Sequence, residues 1–273
     1  MEFYTIFFLF LSLSLGLIIG SFLNVVLFRY QTGRGLSGRS GCMTCGKQLA
    51  WLELIPVISF FLQKAACRNC RAKLSWQYPV VETMTGVTFL LLAVRFLPGV
   101  DAISVWSLLT LAVYWIIGSF LILISVYDFN HKVIPDEWVI GMGLCGIILP
   151  IVSGGSFGYV FFSLLNKCLS ALILAGFLWS IWYFSKGRAM GYGDVKLAVS
   201  VGLVLGLMEG ITAMVLAFWV GAIVGIFLVV ASKYKKLPYS RKLVNLKSEI
   251  PFAPFIVLGV FISLILNFNV LPF

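Results

Sequence analysis

Residues 104–128 read SVWSLLTLAVYWIIGSFLILISVYD, an uncharged run that ends on an aspartate. An α-helix needs about 20 apolar residues to cross the ~30 Å hydrocarbon core of a bilayer, and this run has the length. Windows of the same character recur at roughly 4–28, 79–97, 133–152, 160–184, 194–208, 210–232 and 251–269. The window at 194–208 is short and is expected to sit among its neighbours rather than span fully. Pro98-Gly99, Ser153-Gly154-Gly155-Ser156 and Glu209-Gly210 supply turn signals between windows. The expected fold is an all-α polytopic membrane protein of about eight transmembrane helices.

Composition supports that solvent choice. The 273 residues are 61% hydrophobic and 11% charged, whereas a soluble domain carries about 25% charged residues. The stretch Met1 to Phe28 is expected to be a retained first helix, because it carries Glu2, lacks a basic leader and exceeds the ~7–15 apolar residues of a secretory signal. The net charge of +10 is a topology signal rather than a sign of nucleic-acid binding. Of the 20 Lys and Arg residues, 18 lie in or beside loops 29–78, 128–132, 185–193 and 233–250, leaving Arg95 and Lys167. Alternating spans put those four loops on one side, which the positive-inside rule makes the cytoplasm, with both termini outside.

The expected domains are a first transmembrane helix at 1–28, a small cytoplasmic tetracysteine domain at 29–78 and a membrane domain at 79–273. Within the loop, Trp51-Leu-Glu-Leu-Ile-Pro-Val-Ile-Ser-Phe-Phe-Leu62 is too short to span and suits the lipid interface. Cys42-Met-Thr-Cys45 and Cys67-Arg-Asn-Cys70 form two CxxC pairs, which together can give a metal ion four thiolates. Two disulfides are the competing reading, and a cytoplasmic location argues against them. Zinc is the favoured ion for such a set, and a closed four-thiolate site leaves no position for catalysis. Cys145 and Cys168 lie inside apolar runs and read as small buried hydrophobes.

Ten acidic residues are few enough to weigh singly. Glu2, Asp101, Glu209 and Glu249 are expected to be solvated, and Asp136, with Glu137 beside it, to cap or start a helix. Asp128 ends one apolar run and Asp194, in Gly191-Tyr-Gly-Asp-Val-Lys-Leu197, enters another from the same side. A carboxylate near hydrocarbon needs compensation. Residue chemistry leaves two readings open: snorkelling or capping groups, or two carboxyls sharing a proton, the arrangement of aspartic proteolysis. Gly191 and Gly193 would let a substrate backbone approach the second acid. A transporter carrying protons on the two acids and a scaffold docking through its cysteine loop are the rival classes.

Seven segments in order resemble the bacterial type IV prepilin peptidase family, the leader peptidase/N-methyltransferases. They are Gly20-Ser-Phe-Leu-Asn-Val-Val26 with Arg29, the two CxxC pairs, Trp51-Leu-Glu-Leu-Ile-Pro56, Tyr78-Pro79 with Glu82, Asp128 with Ile134-Pro-Asp136, Gly191-Tyr-Gly-Asp-Val-Lys196 and Pro251-Phe-Ala-Pro-Phe255. The resemblance implies a GxGD-type membrane aspartyl protease of the bacterial inner membrane, with Asp128 and Asp194 catalytic. Its substrates would be type IV prepilins or type II secretion pseudopilins, cut after a glycine on the cytoplasmic side. It further implies methylation of the new N-terminal residue, usually phenylalanine, with S-adenosylmethionine; the alternative is a peptidase alone. Glu53 and Glu82 are the candidates for orienting the amine or the sulfonium. Two features depart from the family: Ala253 stands where glycine is common, and Gln31 to Arg39 lacks the usual prolines.

Overall fold

The computed structural model describes residues 2–32, 35, 38–97, 103–234 and 251–266. The turn expected at Pro98-Gly99, Asp101, Glu249, part of the 31–39 stretch and most of the 233–250 loop lie outside the described residues. Among the described residues the chain forms α1 (Glu2–Arg29), α2 (Ile58–Leu62), α3 (Gln77–Phe96), α4 (Val105–His131), α5 (Asp136–Val152), α6 (Phe157–Ser185), α7 (Tyr192–Leu205), α8 (Leu207–Tyr234) and α9 (Ala253–Leu266). A 3-10 turn at Trp51–Leu54 precedes α2.

Each of the eight apolar windows falls on one of these helices, and five (α1, α3, α4, α6 and α8) are long and apolar enough to cross a membrane. Helices α5, α7 and α9, of 17, 14 and 14 residues, are shorter. The protein is a helical membrane protein, and its packing is inverted relative to a soluble one. Bulky apolar side chains face outward, with Phe157 87% and Phe184 82% exposed, while Asn24, Glu82, Asp128, Lys167 and Asp194 are buried. Lipid accepts the first group; the second finds partners only inside.

The chain divides into two compact units: Met1–Val126 with Val152–Gly154, and Tyr127–Ile151 with Gly155–Phe273. In the first, α1 and α3 lie side by side because small residues remove the bulk between them. A Cβ on Gly16 would come within 2.8 Å of the Gly86 Cα, and one on Gly20 within 2.7 Å of the Glu82 Cα. Close backbone approach of this kind, rather than a hydrophobic drive, holds helices together in lipid. The Phe89 and Trp115 rings stack at 5.1 Å, and the Trp115 indole donates to the Phe89 carbonyl at 3.1 Å.

In the second unit α6 packs on α7 and α8 on α9, with Gly202 against Ala171 and Gly259 against Ala213. Helix α5 joins them through Ser200, whose hydroxyl donates to the Val139 carbonyl at 2.8 Å. Helix α6 starts at Ser156, whose hydroxyl accepts from the Tyr159 N–H, the usual service of serine at an N-cap.

Candidate active site and metal centre

Helix α4 continues past the apolar run to His131, so Asp128 lies in its last turn rather than beyond it. Helix α7 opens at Tyr192 after Gly191 as N-cap, which places Asp194 in its first turn. Both aspartates belong to the second unit, and they are 5% and 7% exposed. The Asp128 carboxylate is within electrostatic range of Asp194, a proximity that sequence alone could not give. One oxygen of Asp128, Oδ2, is buried and has no hydrogen-bond partner among the described residues. A buried carboxyl left half-satisfied beside a second carboxyl suits a proton shared or delivered to a substrate.

The first turn of each neighbouring helix supplies the surroundings. The main-chain N–H of Ala253 faces the Asp128 carboxyl. Ala253 is the first residue of α9, where N–H groups have no partner within the helix and the dipole is positive. The sequence flagged the Pro251–Phe255 segment through resemblance, without a role for it; a helix N-terminus aimed at a carboxylate is that role. Lys132 also lies within electrostatic range of Asp128. Tyr127, itself buried, packs edge-on against Trp138 at 5.2 Å, so the turn that carries Asp128 is walled by aromatic rings.

The two glycines of the GxGD segment have different roles. A Cβ on Gly193 would sit 3.2 Å from the Ile134 Cβ, so its absence serves packing. Among the described residues, an added Cβ at Gly191 would meet only the Asp194 carboxylate, at 3.6 Å, and the Gly193 nitrogen. Only Gly191 therefore leaves room beside the acid, half of what the sequence suggested. Nearby, Lys196 donates to both oxygens of Asp136, at 2.7 and 2.9 Å, and ties the start of α5 to the first turns of α7. Asp136 begins its helix as expected and has this second task as well.

The four cysteines Cys42, Cys45, Cys67 and Cys70 converge in the first unit, with their sulfurs all within 4.8 Å of one another. Each pair sits on its own knuckle, and the two have the same hydrogen bonds. The Cys42 N–H donates to the Lys47 carbonyl and the Gly46 N–H to the Cys42 carbonyl; 25 residues on, Cys67 bonds Ala72 and Arg71 bonds Cys67, all at 2.9 Å. The same 25-residue spacing recurs in side chains, at Cys42/Cys67, Cys45/Cys70, Leu49/Leu74 and Trp51/Trp76. Cys42 and Cys70 sulfurs are 3.8 Å apart, the edge of a tetrahedron whose metal–sulfur bonds are about 2.3 Å. The N–H groups of Cys45 and Thr44 lower the Cys42 thiol to about 6. At Cys70 the Ala72 N–H pulls the same way, but burial and the three neighbouring thiols push it to about 11. Thiolates crowd each other until a cation intervenes, and the cluster can hold a metal.

Glu53 and Glu82 both accept hydrogen bonds from the segment between the knuckles. Glu53 accepts from the Ala50 N–H at 2.8 Å, and Glu82, on α3, accepts from the Val57 N–H at 2.7 Å. Val57 has φ +62° and ψ −54°, a costly conformation for a β-branched residue. The buried carboxylate helps hold it. Asn24 donates to the Tyr78 carbonyl at 3.2 Å, which joins two of the segments that carried the family resemblance.

The fold and these two sites define a polytopic helical membrane protein with a buried aspartate pair and a separate tetrathiol centre. Comparison with known proteins is more specific. The family model for the bacterial peptidase A24 N-terminal domain matches residues 14–96, and that for the type IV leader peptidase family matches 115–226. Similar curated proteins carry the name prepilin leader peptidase/N-methyltransferase. That of Klebsiella pneumoniae is 32% identical over 215 residues, covering 73% of this chain and 84% of the relative. That of Bacillus subtilis is 28% identical over 262 residues, covering 94% of each. That of Aeromonas hydrophila is 27% identical over 232 residues, covering 83% of this chain and 71% of the relative. No solved structure matches. The chain belongs to the type IV leader peptidase family.

Proposed function

We infer that this chain cleaves the leader of type IV prepilins, or of type II secretion pseudopilins, and then N-methylates the residue exposed. The observation that carries the reading is the placement of Asp128 and Asp194 in one unit, both buried, at the ends of two helices and within electrostatic range of each other. Relatives spanning most of the chain are named for both activities.

In the proposed mechanism the ionised aspartate takes a proton from water as the water attacks the scissile carbonyl. The protonated partner donates to the carbonyl oxygen, and the pair returns the proton to the leaving amine. Mutual proximity keeps one proton on the pair, so its titration belongs to both carboxyls together. The Ala253 N–H would hold Asp128 in orientation while Oδ2 stays free for the exchange. Gly191 leaves space for the substrate main chain after the scissile glycine.

The tetrathiol site is assigned zinc in a structural role, since four thiolates close the coordination sphere. Domain roles follow: methyl transfer with the 29–78 loop, cleavage with 79–273, and 1–28 as an anchor. S-adenosylmethionine supplies the methyl group as co-substrate. Glu53 and Glu82 are proposed to orient the amine or the sulfonium, because buried carboxylates favour cations. The exposed Trp51, Ile58, Phe61, Leu62 and Trp76 side chains suit the lipid interface beside that loop. The basic loops fit an inner-membrane location with the sites facing the cytoplasm and all eight runs embedded.

The purified chain is expected to convert a short prepilin to the mature form by one cut after glycine, read by mass spectrometry. Methyl-labelled S-adenosylmethionine should mark the new N-terminus. Cleavage without label would reduce the function to a peptidase, and label without cleavage would remove the aspartate reading.

A further inference from the structure

Helix α7 is short for a membrane. Its 14 residues cover about 21 Å, against a hydrocarbon core of about 30 Å. A helix that starts at one rim with Asp194 therefore ends inside the apolar layer. Of its last four carbonyls, that of Gly202 accepts from the Gly206 N–H at 2.9 Å, and those of Leu203 and Val204 need a donor from outside the helix. The chain leaves the helix at once: Gly206 takes φ +81°, and α8 begins at Leu207.

One side chain meets this need. The ammonium of Lys167, on α6, donates to the Leu203 carbonyl at 2.9 Å and to the Val204 carbonyl as well. Lys167 is 9% exposed and lies ten residues, about 15 Å, into a helix of 29. It is one of the two basic residues that break the charge asymmetry of the loops. A buried cation needs a reason, and a helix C-terminus, with its negative dipole end and open carbonyls, provides one. Glu209, in the first turn of α8, is a countercharge within electrostatic range. Around the contact α6 and α7 are locked: Gly202 meets the Ala171 and Ser170 backbone, and a Cβ on Gly206 would lie 3.1 Å from the Asn166 amide.

We infer that Lys167 is a positioning residue whose ammonium caps α7 inside the membrane and thereby sets the depth of Asp194. The two ends of α7 are joined by a continuous helix, with Asp194 roughly 16 Å along the axis from Leu205. A slip of one residue is about 1.5 Å, and misplacement of a reacting group by about 1 Å can reduce turnover 10²-fold. The inference rests on the reading of Asp194 as catalytic.

The test uses the full chain in lipid nanodiscs with a prepilin substrate, comparing Lys167→Met, Lys167→Gln and Lys167→Arg. Lys167→Met is expected to lower kcat at least tenfold with KM within twofold, and to speed hydrogen exchange in residues 201–206. Lys167→Arg, which keeps charge and donors, should restore kcat to within threefold, and Lys167→Gln should fall between. Should the Met variant fail to insert, equal kcat for Gln, Arg and wild type overturns the proposal. Unchanged kcat and exchange in Lys167→Met overturns it directly. Asp194→Asn is measured alongside. Full cleavage in that variant removes the catalytic reading while leaving the exchange result to report on the cap.

Discussion

The tetracysteine centre and the aspartate site face the same difficulty, since both gather groups that repel once ionised, yet they resolve it differently. The four thiols sit on two knuckles closed by local main-chain hydrogen bonds, outside the long helices, and invite a cation to neutralise them. The two carboxyls stand on helix ends 66 positions apart in the chain, within electrostatic range of each other. An N–H from α9 and the Lys132 ammonium face Asp128. A site closed by a metal is stable and chemically spent. A pair of carboxyls with no metal between them would keep a proton and an oxygen free to react.

That contrast can be broken most sharply at the metal. Replacing Cys42 and Cys67 by serine removes half the ligands, and the expected result is loss of bound zinc with methyl transfer reduced more than tenfold. Cleavage should fall less than methylation. Elemental analysis with both activity assays checks this, and a variant that keeps one equivalent of zinc would contradict the four-thiolate centre.

The second probe concerns the Ala253 N–H. Proline suits the first position of a helix and lacks an N–H, so Ala253→Pro should leave α9 formed while removing the donor to Asp128. A hydrogen bond to a charged group is worth about 1.5–3 kcal/mol. The expected loss of kcat is therefore roughly tenfold to a hundredfold, while Ala253→Gly, which keeps the N–H, should be near wild type. Equal activity in both variants would remove α9 from the site.

Much of the fold was legible in the sequence because lipid imposes one rule along the whole chain, and long apolar runs obey it whatever their neighbours. The CxxC pairs were legible for a similar reason, as their ligands lie three residues apart on local turns. Lys167 was not, because its partners are main-chain carbonyls 36 and 37 residues away, and carbonyls carry no sequence signature. Gly193 was half-read, since the bulk of Ile134 beside it depends on how α5 and α7 meet. The last turn of α4 is not legible in the sequence, because the charge of Asp128 has the look of a helix end.

The smallest expected effect belongs to the Lys196–Asp136 pair, which is partly exposed on both sides. Such pairs contribute about 0–1 kcal/mol. Asp136→Asn or Lys196→Gln should lower cleavage by no more than about fivefold, and the double variant should match the single ones in a mutant cycle. A hundredfold loss in either would promote the pair from a tether to part of the reaction.

The central claim is that Asp128 and Asp194 act as one unit, and prepilin cleavage by Asp128→Asn, Asp194→Asn and the double variant tests it most directly. Asparagine is nearly isosteric with aspartate, so the fold should persist in all three. Each single change is expected to lower the rate by roughly 10³-fold or more, with the double variant no slower than the singles, because groups acting together are not additive. Wild-type cleavage in either single variant, or losses that multiply in the double, would contradict it.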